Sequence, residues 1–132
     1  MNIRDLQTVR SLYDAFARRD LDAIHSCLAP DIVIEQPECL PWGGRYEGHE
    51  GFDSFIGALL RRLDPALETT DLFDAGEHIV HIGRSRGTIL ANGDRYDVSE
   101  VHLWTFRDGA VTSLRVYVDV AILAALTAPA RS

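Results

Sequence analysis

The second half of the chain carries four β-rich segments, residues 67–73, 78–90, 95–106 and 111–118, separated by Ala75-Gly76, Asn92-Gly93 and Asp108-Gly109. Asn-Gly and Asp-Gly supply the positive-φ positions that tight hairpins need, so this punctuation predicts a meander of four antiparallel strands. Such a sheet has an apolar face to cover, and the segments able to cover it come earlier. Ile3, Leu6, Val9, Leu12, Tyr13 and Phe16 recur at helical spacing, with Asn2 as N-cap and Asp5 in the first turn, which predicts a helix over 3–18. Asp20 is placed to cap a second, shorter helix bearing Leu21, Ile24, Cys27 and Leu28 and ending before Pro30. Ile32 to Gln36, closed by Pro37, reads as a strand, and 38–51 reads as a loop because Pro41, Gly43, Gly44, Gly48 and Gly51 crowd it. Phe52, Phe55, Ile56, Leu59, Leu60 and Leu63 predict a third helix running to Asp64-Pro65. Residues 121–126 allow a last helical turn or two before a frayed tail from 128. The expected class is α+β, three helices of the N-terminal half packed on one face of a curved antiparallel sheet.

With 132 residues, the chain fits one domain over 1–132. All 13 basic residues are arginine, so lysine Schiff-base and lysine-nucleophile chemistry is excluded. The formal charge of −7 and the scattered arginines oppose nucleic-acid binding, and no apolar stretch is long enough to span a bilayer. Met1 to Asp5 shows neither a basic nor an apolar leader region, so a cytoplasmic location is expected. Cys27 and Cys39 read as free thiols, and no CxxC or HxxxH spacing points to a metal. His78 and His81, three apart, face opposite sides of a strand and read as surface or rim residues.

Alternation along the strands sorts candidate functional residues by face. On residues 95–106, Tyr96, Val98, Glu100, His102, Trp104 and Phe106 share one side. On the last strand, Val111, Ser113, Arg115, Tyr117 and Asp119 share one side and Thr112, Leu114, Val116 and Val118 the other. Each strand thus has a small aliphatic face and an aromatic, ionisable face. Placing the two ionisable faces together predicts a pocket holding Glu100, His102, Trp104, Arg115, Tyr117 and Asp119. The aliphatic face is left for a second subunit, which predicts a homodimer.

Several motifs carry a family resemblance. They are Tyr13-Asp14-Ala15-Phe16 followed by Arg19 to Ile24, Leu28 to Pro37, Tyr46 to Phe52, and Val116-Tyr117-Val118-Asp119. Together they resemble the nuclear transport factor 2-like superfamily, and within it the SnoaL-like group of polyketide cyclases and ketosteroid isomerase relatives. The resemblance implies a cystatin-like cone whose cavity lies between helices and concave sheet, and a homodimer through the outer sheet face. It implies no cofactor. The general-base Asp of the isomerases is replaced here by Gln36, their first-helix tyrosine falls at Leu12, beside Tyr13, and their oxyanion-hole Asp falls near His102, so an isomerase of the ketosteroid type is rejected. The resemblance to the cyclases implies that Asp119 acts as general acid/base.

The expected site is therefore Asp119 and His102 as catalytic groups, with Gln36, Tyr13, Trp42, Glu100, Trp104, Arg115, Tyr117 and Phe55 around a small apolar organic ligand. Asp119 also stands where it can cap the last helical turn. Trp42 reads as a mobile lid or a fixed wall. Arg115 and Asp119, roughly 13 Å apart along one strand, do not reproduce the Asp-Arg-Asp set of related epoxide hydrolases. Two functions remain: a cofactor-free isomerase, cyclase or hydratase-type enzyme, and a non-catalytic ligand-binding or assembly module. Convergence of Gln36, His102 and Asp119 on one void discriminates between them.

Overall fold

The sheet is built from both halves of the sequence. In the computed structural model, which describes residues 3–128, the helices are α1 (Ile3–Ala17), α2 (Leu21–His25), α3 (Gly48–Leu60) and α4 (Ala121–Thr127). The strands are β1 (Leu28–Gln36), β2 (Gly44–Glu47), β3 (Leu63–Asp74), β4 (Ile79–Ile89), β5 (Arg95–Arg107) and β6 (Ala110–Val118). They form one six-stranded sheet in the order β2-β1-β6-β5-β4-β3. The expected α+β class and the four-stranded meander are both present, and α1 and α3 lie against the sheet. Asp20 caps α2 by accepting the Ala23 N–H at 3.1 Å. Asn2, the expected cap of α1, lies outside the described residues.

Four expectations need correction. β1 pairs parallel with β6, so the sheet is mixed and not purely antiparallel. α2 ends at His25, and Leu28 to Pro30 belong to β1, whose pairing with β6 shifts register between Leu28 and Val33. The glycine-rich stretch after Pro37 contains β2 and the first turn of α3, because Gly48, at φ +73°, turns the chain straight from strand into helix. β3 begins at Leu63 and carries Pro65, which an edge strand tolerates since the missing N–H faces no partner.

The core fills the space between the helices and the inner sheet face. Val9, Leu12 and Ala15 of α1 and Phe52, Phe55 and Ile56 of α3 meet Ile32, Ile34, Ile79, Ile89, Val98, Trp104 and Leu114. Inner-face positions alternate strictly along β4 and β5, where Ile79, His81, Gly83 and Ser85 are cross-strand neighbours of Trp104, His102, Glu100 and Val98. The β5–β6 ladder contains an irregularity: Thr105 pairs with Ser113 but Phe106 pairs with Val111, leaving Thr112 as an extra residue whose Oγ1 donates to Thr105 O at 3.2 Å.

Candidate active site

A cavity of about 110 Å³ lies between the inner sheet face and α1, α3 and α4. Its walls are overwhelmingly apolar, with Phe16, Trp42, Phe52, Phe55, Leu114 and Val116 among them. The polar groups on the wall are few: Tyr13, Gln36, Ser85, Glu100, His102 and the indole of Trp104. Engineered voids of roughly 150 Å³ accept benzene, so this cavity suits a molecule of about one small ring. Trp42 is buried and fixed: Tyr46 donates its hydroxyl to Trp42 O at 3.0 Å, and a Cβ at neighbouring Gly43 would fall 2.1 Å from Pro37 O. Trp42 is a wall of the cavity.

The polar groups of β4, β5 and α1 form one connected cluster. His102 Nδ1 lies 2.6 Å from Tyr13 Oη, and the Trp104 indole N–H donates to that same oxygen at 3.0 Å. On the other side of the ring, His102 Nε2 lies 3.3 Å from Glu100 Oε1. The second carboxylate oxygen, Oε2, lies 2.9 Å from His81 Nε2, and His81 Nδ1 lies 3.2 Å from Thr69 Oγ1. No described buried side-chain nitrogen or oxygen is left unsatisfied. Alternation places Glu100, His102 and Trp104 on one face of β5, and direct cross-strand pairing brings His81 against His102.

Burial raises the Glu100 carboxyl, but the attraction of His102 and hydrogen bonds from His102 and His81 outweigh it and hold the group at about 2. Burial pushes the His81 imidazole below its ordinary range, against the hydrogen bond it donates to Glu100, and it pushes the Tyr13 phenol well above its own. The cluster at neutral pH is thus an ionised carboxylate, a neutral His81 and a neutral phenol, beneath an apolar cavity.

Not all of the expected residues converge. Gln36, Tyr13, Trp42, Phe55, Glu100, His102 and Trp104 line the cavity; Arg115, Tyr117 and Asp119 do not. The extra residue Thr112 inverts the alternation of β6, so Leu114, Val116 and Val118 face inward beside Trp104, His102 and Glu100. Arg115 lies on the outer face, 3.0 Å from Glu35, and Tyr117 is half exposed beside it. Asp119 sits outside the cavity, its Oδ1 accepting the Ala121 N–H at 2.9 Å while its own N–H donates to Ser99 O. Convergence of Gln36, His102 and Asp119 on one void does not occur: Gln36 and His102 share the cavity wall, and the outcome goes against acid/base chemistry through Asp119. His81 is also corrected: the opposite-face argument holds, with His78 on the outer side near Thr105 Oγ1 at 3.0 Å, but His81 is fully buried and belongs to the cluster. The one signal for it in the sequence is that it shares parity with Ile79, Gly83 and Ser85.

A family model for the SnoaL-like domain matches residues 9–114. The chain belongs to the SnoaL-like family. Among solved structures, this SnoaL-like chain is similar to a nuclear transport factor 2-like protein of unknown function from Burkholderia pseudomallei, with 32% identity, 97% of this chain and 100% of that one covered, and a TM-score of 0.87. It is similar to TerC co-crystallised with polyporic acid, with 25% identity, 93% and 97% covered, and a TM-score of 0.84. It shares the fold of a protein from Xanthomonas campestris provisionally classed as a polyketide cyclase, with 24% identity, 95% and 97% covered, and a TM-score of 0.78. No curated protein matches the chain. No helix among the described residues is long and apolar enough to cross a membrane.

His81, Glu100 and His102 bring three ligand-type atoms within 4.8 Å of one another in this SnoaL-like domain. The two imidazoles, however, are stacked with planes 23° apart, so their in-plane lone pairs run side by side instead of meeting at one ion. That geometry suits two donors to one carboxylate. What the cluster offers chemically is reversible proton transfer at Tyr13 and His102, on a largely apolar wall that carries no arginine.

Proposed function

We propose that this SnoaL-like protein binds a small, largely apolar organic molecule in its cone and shifts a proton on it without a cofactor, as an isomerase, cyclase or hydratase-type enzyme. The observation that carries this reading is the 2.6 Å contact between Tyr13 Oη and His102 Nδ1 at the wall of an otherwise apolar cavity, with Glu100 behind the imidazole. Proton abstraction from substrate places that proton on Tyr13 Oη as the phenol's own proton passes to His102 Nδ1. The phenol stays neutral throughout, in keeping with its raised pKa, and the imidazolium that forms faces the ionised Glu100. The reverse transfer returns the proton to a second substrate atom. Gln36 supplies an amide on the same cavity wall for a substrate carbonyl. TerC, similar in fold and co-crystallised with polyporic acid, supports an organic ligand for the cone. We further propose that the protein is a homodimer through the outer sheet face.

The test begins with mass spectrometry of ligands retained on purified protein, followed by turnover of the identified compound by the wild type and by Tyr13→Phe and His102→Gln. Losses of about 10²–10⁴-fold in kcat with unchanged folding are expected. Full activity in both variants overturns the acid–base reading and leaves a binding protein.

A further inference from the structure

His81 does not line the cavity, yet it touches every working part of the cluster beneath it. Its ring stacks on Tyr13 at 4.5 Å and on His102 at 4.6 Å, while Tyr13 and His102 lie 5.8 Å apart with planes only 14° from parallel. The two hydrogen-bonded rings therefore rest on one imidazole as on a floor. The strand makes room for it: a Cβ at Gly83 would fall 2.9 Å from both Cε1 and Nε2 of His81. An apolar side chain would provide the floor equally well, so the choice of histidine calls for a chemical reason.

That reason lies in the hydrogens. An ionised carboxylate only accepts, and both Nε2 atoms face Glu100, so each ring in its neutral form carries its one hydrogen there. Each Nδ1 is then an acceptor, His81 from the Thr69 hydroxyl and His102 from the Tyr13 hydroxyl. Thr69 is exposed, and its donation to Nδ1 polarises the ring and strengthens the Nε2–H given to Glu100. Glu100, which also accepts from His81, attracts a proton on His102 less than a carboxylate without that donor would.

We propose that His81, supported by Thr69, is a positioning residue that sets the proton affinity of His102 and holds the Tyr13–His102 hydrogen bond in line. The titratable groups facing His102 are Tyr13 from α1, His81 from β4 and Glu100 on its own strand; its partner on β6 is Val116. Removing the His81 donor makes Glu100 the stronger base and His102 the more readily protonated. An imidazolium donates from Nδ1 to Tyr13 Oη, and the phenol proton then turns away from His102. His81 thereby weakens the pull of Glu100 on a proton at His102. The catalytic consequence rests on the acid–base reading above, whereas the proton positions do not.

The experiment is an NMR titration of the His102 imidazole in 13C/15N-histidine-labelled full-length protein without ligand, comparing wild type, His81→Phe, His81→Gln and Thr69→Val. His81→Phe, which keeps the floor and loses the donor, is expected to raise the His102 midpoint by about one pH unit. Thr69→Val, at an exposed position, is expected to raise it by less, and it decides the matter if His81→Phe does not fold. His81→Gln, which keeps a donor and loses the ring, is expected to hold the midpoint near wild type while broadening the low-field proton resonance of the Tyr13–His102 bond. An unmoved midpoint in Thr69→Val and in any folded His81→Phe overturns the proposal. A moved midpoint alongside full turnover in Tyr13→Phe and His102→Gln leaves it standing while the acid–base reading falls.

Discussion

At the scale of single residues, the cluster ties stability to pH through two groups. Glu100 is held at about 2 in the folded protein against an ordinary 4.5, so the folded state binds fewer protons than the unfolded chain between those values. Its ionised form stabilises the fold above about pH 4.5, and that contribution is lost as pH falls towards 2. His81 is also shifted down, from 6.5, so protonating it costs stability as pH falls below that value. Both effects act in the acid direction, and thermal unfolding between pH 7 and 3 is expected to show Tm falling in two stages. Glu100→Gln removes the lower stage. Its amide nitrogen opposes one of the two imidazole N–H groups, forcing a change of tautomer, so a loss of about 1–3 kcal/mol at pH 7 is expected as well. A variant with the acid slope of the wild type contradicts the assignment of that stage to Glu100.

At the scale of elements, most of the architecture is legible in the sequence; β2, inside the stretch read as a loop, is not, and neither is the facing of β6. Asn92-Gly93 and Asp108-Gly109 mark their hairpins, with positive φ at Gly93, Asp108 and Gly109, and the alternation of β5 was correct from Arg95 to Trp104. On β6 the alternation was correct at Val111, which faces inward, and inverted after it. A strand period of two has no memory: one extra residue at Thr112 exchanges the faces of everything that follows. Nothing in Thr112-Ser113 marks a bulge, so the most ionisable residues of β6 were assigned to the cavity and its aliphatic residues to the outside. His81 was missed for a related reason, since parity tells which residues share a face but not which face is buried. The role left to Asp119 is local. Asp119→Ala is expected to cost about 1 kcal/mol through the lost bond to Ala121, measured by chemical unfolding, and to leave ligand affinity and turnover unchanged. A large loss of turnover without a loss of stability returns Asp119 to the chemistry.

At the scale of the whole molecule, the same inversion changes what the outer face is made of. The residues exchanged outward, Arg115 and Tyr117, join Phe73, Val80, Ile82, Val101 and Leu103 from β3, β4 and β5 on the side away from the helices. Phe73, Ile82 and Tyr117 are each about 40–50% exposed, in direct or diagonal register across four strands. Paired charges border this surface: Arg84 and Arg86 on Asp97 and Glu68, and Arg115 on Glu35. For the homodimer proposed above, apolar residues at the centre and both signs of charge at the rim are the composition that a two-fold interface uses. Ile82 lies opposite Val101, which lies opposite Tyr117, so an added charge there meets its own copy across such an axis. Ile82→Arg is expected to convert dimer to monomer in size-exclusion chromatography with light scattering, while its exposed position spares the fold and the cavity behind the sheet. A dimer that survives the substitution, or a monomeric wild type at micromolar concentration, removes the outer face as the interface.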